Sequence, residues 1–138
     1  MKIELNRLND AYWLEATNED GAKLNIDASP EIGGLNKGLR PMQMLLAAMG
    51  GCSTIDIISI LKKQKQDLKD IKITVTGDRE KDAVPSLFIG VHAHFKLYGN
   101  LDEEKVKKAV SLSVDKYCSV AKTLEKTAKI TYSFEIIK

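Results

Sequence analysis

Cysteine is scarce in this chain. Two among 138 residues are too few for the disulfide framework of a small secreted domain. The opening run Met1-Lys2-Ile3-Glu4-Leu5 lacks the apolar core of a signal peptide. Reduced thiols and a cytoplasmic location are therefore expected. The longest apolar stretch, Leu45 to Leu61, is broken by Ser53, Thr54, Asp56 and two glycines, and falls short of the ~20 residues a bilayer span needs. No membrane partner is expected. A dominant charge is also missing. Twenty-one Lys plus Arg against 19 Asp plus Glu leave +2, which provides no bulk field for a nucleic acid, so none is expected as a partner. P-loop, GxGxxG and GxSxG motifs are absent. The two cysteines lie far apart and His92 and His94 stand alone as histidines, so no close-spaced tetrahedral metal set and no cofactor are expected.

What is present is an ordinary globular mixture, 43% apolar and 29% charged, long enough for one core and read as a single domain over 1–138. Charge is uneven along it. Residues 1–60 carry 5 basic and 8 acidic side chains and residues 61–138 carry 16 and 11. Most of the positive charge is lysine spread over predicted surface faces.

Alternation predicts short strands at 2–6, 12–17 and 23–27, with a turn at Glu19-Asp20-Gly21 and an irregular loop from Ser29 through Gly38. Pro41 suits the first turn of a helix. No further proline follows to about Gln66. Met44, Leu45, Ala48, Cys52, Ile55 and Ser59 fall on one face and Leu46, Met49, Ile57 and Ile60 on others, so the helix is expected to be buried on most sides. Strands are predicted at 71–75 and 87–97 around a loop at 78–85. A capping box at Asn100–Glu103 is predicted to start a helix with Val106, Ala109, Val110, Val114 and Tyr117 on one stripe. A short helical piece after Cys118 and a strand at 130–137 close the chain. The order implies an α+β fold with one helix packed as a rod against sheet.

Cys52 follows Gly50-Gly51 within the long helix. Two glycines there cost about 1 kcal/mol each relative to alanine, a cost tolerated where a backbone or ligand approaches closely. Cys118 lies where one helix ends and a shorter one begins. On residue type alone both thiols could simply fill core, as free cysteine commonly does.

The run Pro41-Met42-Gln43-Met44-Leu45-Leu46-Ala47-Ala48-Met49-Gly50-Gly51-Cys52-Ser53 resembles the first cysteine motif of the OsmC/Ohr family, and Lys116-Tyr117-Cys118-Ser119-Val120-Ala121 resembles the second. The likeness extends over essentially the whole chain and is nearest to the YhfA-like branch. The resemblance implies antiparallel sheets around a long central helix, an intertwined homodimer with interfacial sites, and a thiol-dependent peroxidase for organic hydroperoxides. Cys52 is then the nucleophile, Cys118 the resolving thiol, and an external dithiol the reductant. The nucleophile must be a thiolate stabilised by a cation or helix amino end.

The chain departs from the better-understood peroxidases, which place a glutamate directly after the motif proline as partner to an arginine. Met42 stands there, followed by Gln43, which forms hydrogen bonds but carries no charge. Of three arginines, Arg40 adjoins the motif, Arg7 is the alternative and Arg79, in the hairpin loop, is expected to be structural or exposed. The candidate set is thus Cys52, Cys118, Arg40 and Gln43. Asp56, one turn after Cys52, is expected to be a hydrogen-bonded structural acid. The competing reading is a non-catalytic dimer of the same fold that binds a small apolar molecule or senses redox state.

Overall fold

The computed structural model describes all 138 residues. The chain forms two compact units, Met1–Leu45 and Leu46–Lys138.

The first unit is a three-stranded antiparallel meander of β1 (Ile3–Arg7), β2 (Leu14–Asn18) and β3 (Lys23–Ile26). These are the three strands expected from alternation. The β2–β3 turn is held by Asn18, whose Oδ1 accepts the N–H groups of Asp20 at 3.0 Å and Ala22 at 2.9 Å. Gly21 supplies the positive φ of +86° that an L side chain rarely adopts. After β3 the chain forms the irregular loop predicted from its glycines, with one 3-10 turn at Pro30–Ile32.

Helix α1 (Pro41–Lys63) contributes its first turn to the first unit and the remainder to the second. It ends three residues before the expected Gln66, with Lys62 and Lys63 at its carboxyl end, where cations suit the dipole. Burial differs from expectation. Only Met49, Gly50, Ser53, Ile57 and Leu61 are buried, a seam of four-residue steps. The face assigned as core from spacing is open: Ile55 is 67% exposed and Ile58 on an adjoining position 42%. Periodicity could not rank these faces because both are apolar. A close packing partner selects one of them. A Cβ on Gly50 would lie 3.0 Å from Val75 Cγ2, whereas one on Gly51 would meet nothing within 4 Å. At 23 residues, with an 18-residue stretch of mean hydropathy 1.8, α1 also has the length and composition of a membrane span, contrary to the expectation from its broken apolar run. Its buried seam and the hydrogen bond that Asp56 receives from another helix instead make it a helix of a folded core.

The second unit contains a sheet ordered β4-β5-β6. β4 (Asp67–Arg79) and β5 (Phe88–Asn100) form a long antiparallel hairpin, and both strands outrun their predicted limits. β6 (Lys129–Ile137) pairs with β5 in parallel, correcting the expectation of purely antiparallel sheets. The reason is topological: α2 (Glu103–Leu112), a π-helical turn (Ser113–Tyr117) and α3 (Ser119–Leu124) lie between them and form a crossover. Along β5, Val91, Ala93, Phe95 and Leu97 are buried as alternation required. Ile89 is not. A register shift beside Asp78 and Arg79 leaves it as the extra residue between Phe88 and Gly90, so Phe88 turns inward and Ile89 is 52% exposed.

α2 buries Val106, Ala109 and Val110, as its stripe predicted, with Val114 continuing the stripe in the π turn. Tyr117 is exposed because that wider turn breaks the 3.6-residue phase. The cap also differs from a capping box. Asp102 Oδ1 accepts the Lys105 N–H at 2.9 Å. The third helical residue is lysine and cannot return the bond, so Gln66 Oε1 accepts the Asp102 N–H at 2.8 Å instead.

Candidate functional site

Cys52 lies midway along α1 and is half-buried, while Cys118 is fully buried between the π turn and α3. Both belong to the second unit, where the crossover brings the 66-residue separation to a side-chain neighbourhood. Cys52 and Cys118 are near each other. Neither is in a disulfide.

The Cys118 backbone N–H donates to the Ser113 carbonyl at 2.7 Å, the i-to-i+5 bond that defines the π turn. Its Sγ accepts the Ala121 N–H at 3.4 Å and so caps α3. The thiol in turn points to the Met49 carbonyl at 3.9 Å, which also receives the Ser53 hydroxyl. Burial pushes the Cys118 thiol up to about 11, further raised by the neighbouring Cys52 and opposed by the Ala121 N–H and Ser53 hydroxyl. At neutral pH Cys118 is a protonated, enclosed thiol. Cys52 is the accessible one.

Asp56 receives the Ser113 hydroxyl at 3.2 Å, as expected for a structural acid in an apolar helix. The same hydroxyl lies 3.0 Å from the Ser53 carbonyl. Ser113 was not foreseen as part of the site, although a serine on the Val106-Ala109-Val110 stripe was the available signal.

The other candidates lie in the first unit and are described within it. Arg40 precedes Pro41, and its guanidinium donates to the Gly38 carbonyl at 3.2 Å and to Asn36 Oδ1 at 2.5 Å. Gln43 does not hold that guanidinium. Its Oε1 accepts the Arg40 backbone N–H at 3.0 Å, one half of a capping box from the third helical position. The loop that presents Arg40 is organised by Asp27, which sequence reading missed. This buried carboxylate accepts the N–H groups of Ala28 at 2.8 Å, Leu35 at 3.0 Å and Lys37 at 3.1 Å. Burial alone would raise its pKa, but these three donors and the Arg40 charge outweigh it and hold the carboxyl below its ordinary value. Arg7 donates to the Ala11 carbonyl at 2.9 Å. Arg79, in the second unit, donates from Nε and Nη2 to the Ser86 carbonyl at 3.1 and 2.9 Å, a structural role in its hairpin.

His92 and His94 share one face of the second sheet, as alternation implied. His92 Nε2 and His94 Nδ1 meet at Ser133 Oγ at 2.9 and 2.7 Å, and His94 Nε2 lies 3.2 Å from Glu135. No group of three or more His, Cys, Asp or Glu side chains is arranged to hold a metal ion.

The sequence profile described as "OsmC-like protein" matches residues 34–133 of this chain. Protein YhfA of Escherichia coli K12 is 46% identical over 103 residues, covering 74% of this chain and 76% of that protein. Among solved structures, a hypothetical protein from Aquifex aeolicus VF5 superposes with a TM-score of 0.80 at 30% identity, covering 99% of this chain and 97% of the other. The organic hydroperoxide resistance protein OhrB of Bacillus subtilis shares the fold, with a TM-score of 0.68 at 21% identity and coverage of 97% and 96%.

Proposed function

The chain belongs to the OsmC-like family, and from that premise we propose that it is a thiol-dependent peroxidase that reduces organic hydroperoxides. The observation that carries this reading is the meeting of Cys52 and Cys118 in one neighbourhood, the first accessible and the second enclosed. Names among its structural relatives, including organic hydroperoxide resistance proteins, favour the same substrate class.

In this reading the Cys52 thiolate attacks the distal peroxide oxygen. The O–O bond breaks, the alcohol leaves with a proton, and Cys52 becomes a sulfenic acid. Cys118 then attacks the Cys52 sulfur and an external dithiol reduces the resulting disulfide. Arg40 is the proposed cation for the thiolate and the departing alkoxide. Gln43 supports it indirectly by fixing the backbone at the start of α1. Because a neutral amide that bonds the backbone replaces a carboxylate that would hold the guanidinium, the proposed turnover is slow. The working form is proposed to be a cytoplasmic homodimer. Exposed Ile55 and Ile58 and the open space beside Gly51 give α1 an apolar face suited to a second copy.

The test is consumption of cumene hydroperoxide with a dithiol as reductant. Turnover that vanishes in Cys52→Ser, and a Cys118→Ser protein that consumes one equivalent of peroxide and then stops unless external thiol is supplied, support the assignment. Wild-type protein that consumes no peroxide and forms no disulfide sinks it.

A second reading, a binding protein for a small apolar molecule, is favoured by one feature. Ile3, Leu5, Ala16, Leu24, Ile26 and Met44 line a hollow of about 390 Å³ in the first unit. Saturable thermal stabilisation by an apolar ligand, together with inert cysteines, would favour it.

A further inference from the structure

We propose that Ser113 is the positioning residue of the cysteine pair, setting where Cys118 stands relative to Cys52. The inference rests on the redox-pair reading above and concerns its resolving step. Three contacts converge on this one fully buried side chain and backbone. The Ser113 hydroxyl reaches the Ser53 carbonyl at 3.0 Å, on the residue that follows Cys52. It also reaches Asp56 Oδ2 at 3.2 Å, one turn beyond Cys52. Its own carbonyl accepts the Cys118 N–H at 2.7 Å. A single residue therefore bonds α1 beside one thiol and the backbone of the other. α2 ends and the π turn begins at this residue, so it also fixes where the extra residue of that turn enters.

The resolving step is sensitive to such a tie. Cys118 Sγ must attack the sulfur of Cys52 sulfenic acid. An S–S bond forms, the S–O bond breaks, and hydroxide leaves with the Cys118 proton as water. Disulfide geometry is narrow, with Cα atoms about 4.4–6.8 Å apart, and a well-oriented pair reacts at a high effective concentration. Loosening the tie should lower that concentration while leaving the first attack, which needs only Cys52 and peroxide, nearly intact.

The experiment uses the full chain and two readouts. The first is the Cys52–Cys118 dithiol–disulfide equilibrium in dithiothreitol redox buffers, which involves no peroxide. The second is the partition of Cys52 sulfenic acid, after one equivalent of cumene hydroperoxide, between disulfide and a dimedone adduct. Ser113→Ala is expected to shift the equilibrium about tenfold towards dithiol, which corresponds to about 30 mV for two electrons, and to make the adduct the main product. Its rate of sulfenic acid formation should stay within about twofold. Ser113→Thr keeps the hydroxyl and should remain within about twofold of wild type in both readouts. Ser111→Ala, on the same helix but bonded only to the Lys108 carbonyl, should change neither.

Ser113→Ala with wild-type equilibrium and partition overturns the inference. So does a folded Ser113→Thr protein that loses tenfold in the equilibrium, and this arm remains decisive if Ser113→Ala does not fold. A wild-type pair that closes in the redox buffer but ignores peroxide would refute the peroxidase reading and leave the role of Ser113 standing.

Discussion

Cys118 Sγ accepts the backbone N–H of Ala121 at 3.4 Å, so the second thiol is also the amino-terminal cap of α3. A helix of six residues has few internal bonds, and satisfying one of its free donors is a substantial part of its stability. Cys118→Ser should preserve the cap, because serine is among the favoured residues there, and leave the melting temperature nearly unchanged. Cys118→Ala should cost about 1 kcal/mol by analogy with other cap deletions. Equal melting temperatures for the two variants would refute the capping role.

The two thiols should also separate by reactivity. With its pKa near 11 and no exposed surface, Cys118 has almost no thiolate at pH 8. Iodoacetamide at that pH should label Cys52 first, with Cys118 modified only after denaturation, as mass spectrometry of the alkylated peptides will read. Native labelling of both at similar rates would contradict the enclosure of Cys118.

Raising a thiol pKa on folding has a consequence for alkaline stability. The shift, from 9.0 to about 11, means that the native state holds the proton more tightly than the unfolded chain. Its contribution is complete below about pH 9 and is lost as pH rises towards 11. Denaturation midpoints of wild type and Cys118→Ser, nearly equal at pH 8, should therefore separate across that window, with wild type falling below the variant. Tyr132, pushed up to about 12 mainly by burial and then by its bond to Asp115, titrates in both proteins, so the difference between them isolates Cys118. Parallel curves from pH 8 to 11 would count against the shift.

The adjacent glycines of α1 should behave oppositely. Gly50→Ala places a methyl 3.0 Å from Val75 Cγ2, and that crowding should outweigh the gain in helix propensity, with a net loss of about 1–2 kcal/mol. Gly51→Ala meets nothing within the chain and should stabilise an isolated protomer by about 1 kcal/mol. If a second copy covers this face, Gly51→Ala should weaken the dimer instead, giving a larger dissociation constant by sedimentation. Chemical denaturation and sedimentation of both variants together test the packing and the proposed assembly.

At the start of α1, Gln43→Ala should free the Arg40 N–H and cost about 0.5–1 kcal/mol, as loss of half a capping box does. Gln43→Glu should restore the bond and add a favourable charge at the helix amino end. If Gln43→Glu also raises peroxide turnover, the amide accounts for part of the proposed weak activation. A stability gain without any change in turnover would confine Gln43 to capping.

Local pattern determined much of this protein. Alternation marked all six strands, Pro41 marked the start of α1, and the Val106-Ala109-Val110 stripe identified the buried side of α2, because each depends on residues within a few positions of one another. The two cysteine motifs also pointed to the family. Three features were decided only by tertiary structure. Which apolar face of α1 is buried depended on Val75 of β4 meeting Gly50. Parallel pairing of β6 depended on the crossover through α2 and α3. The place of Ser113 depended on two helices meeting 60 residues apart in sequence. Hydrophobic periodicity reports how much of a segment is apolar and with what phase, but long-range packing chooses the partner, and the partner determines which polar groups become neighbours.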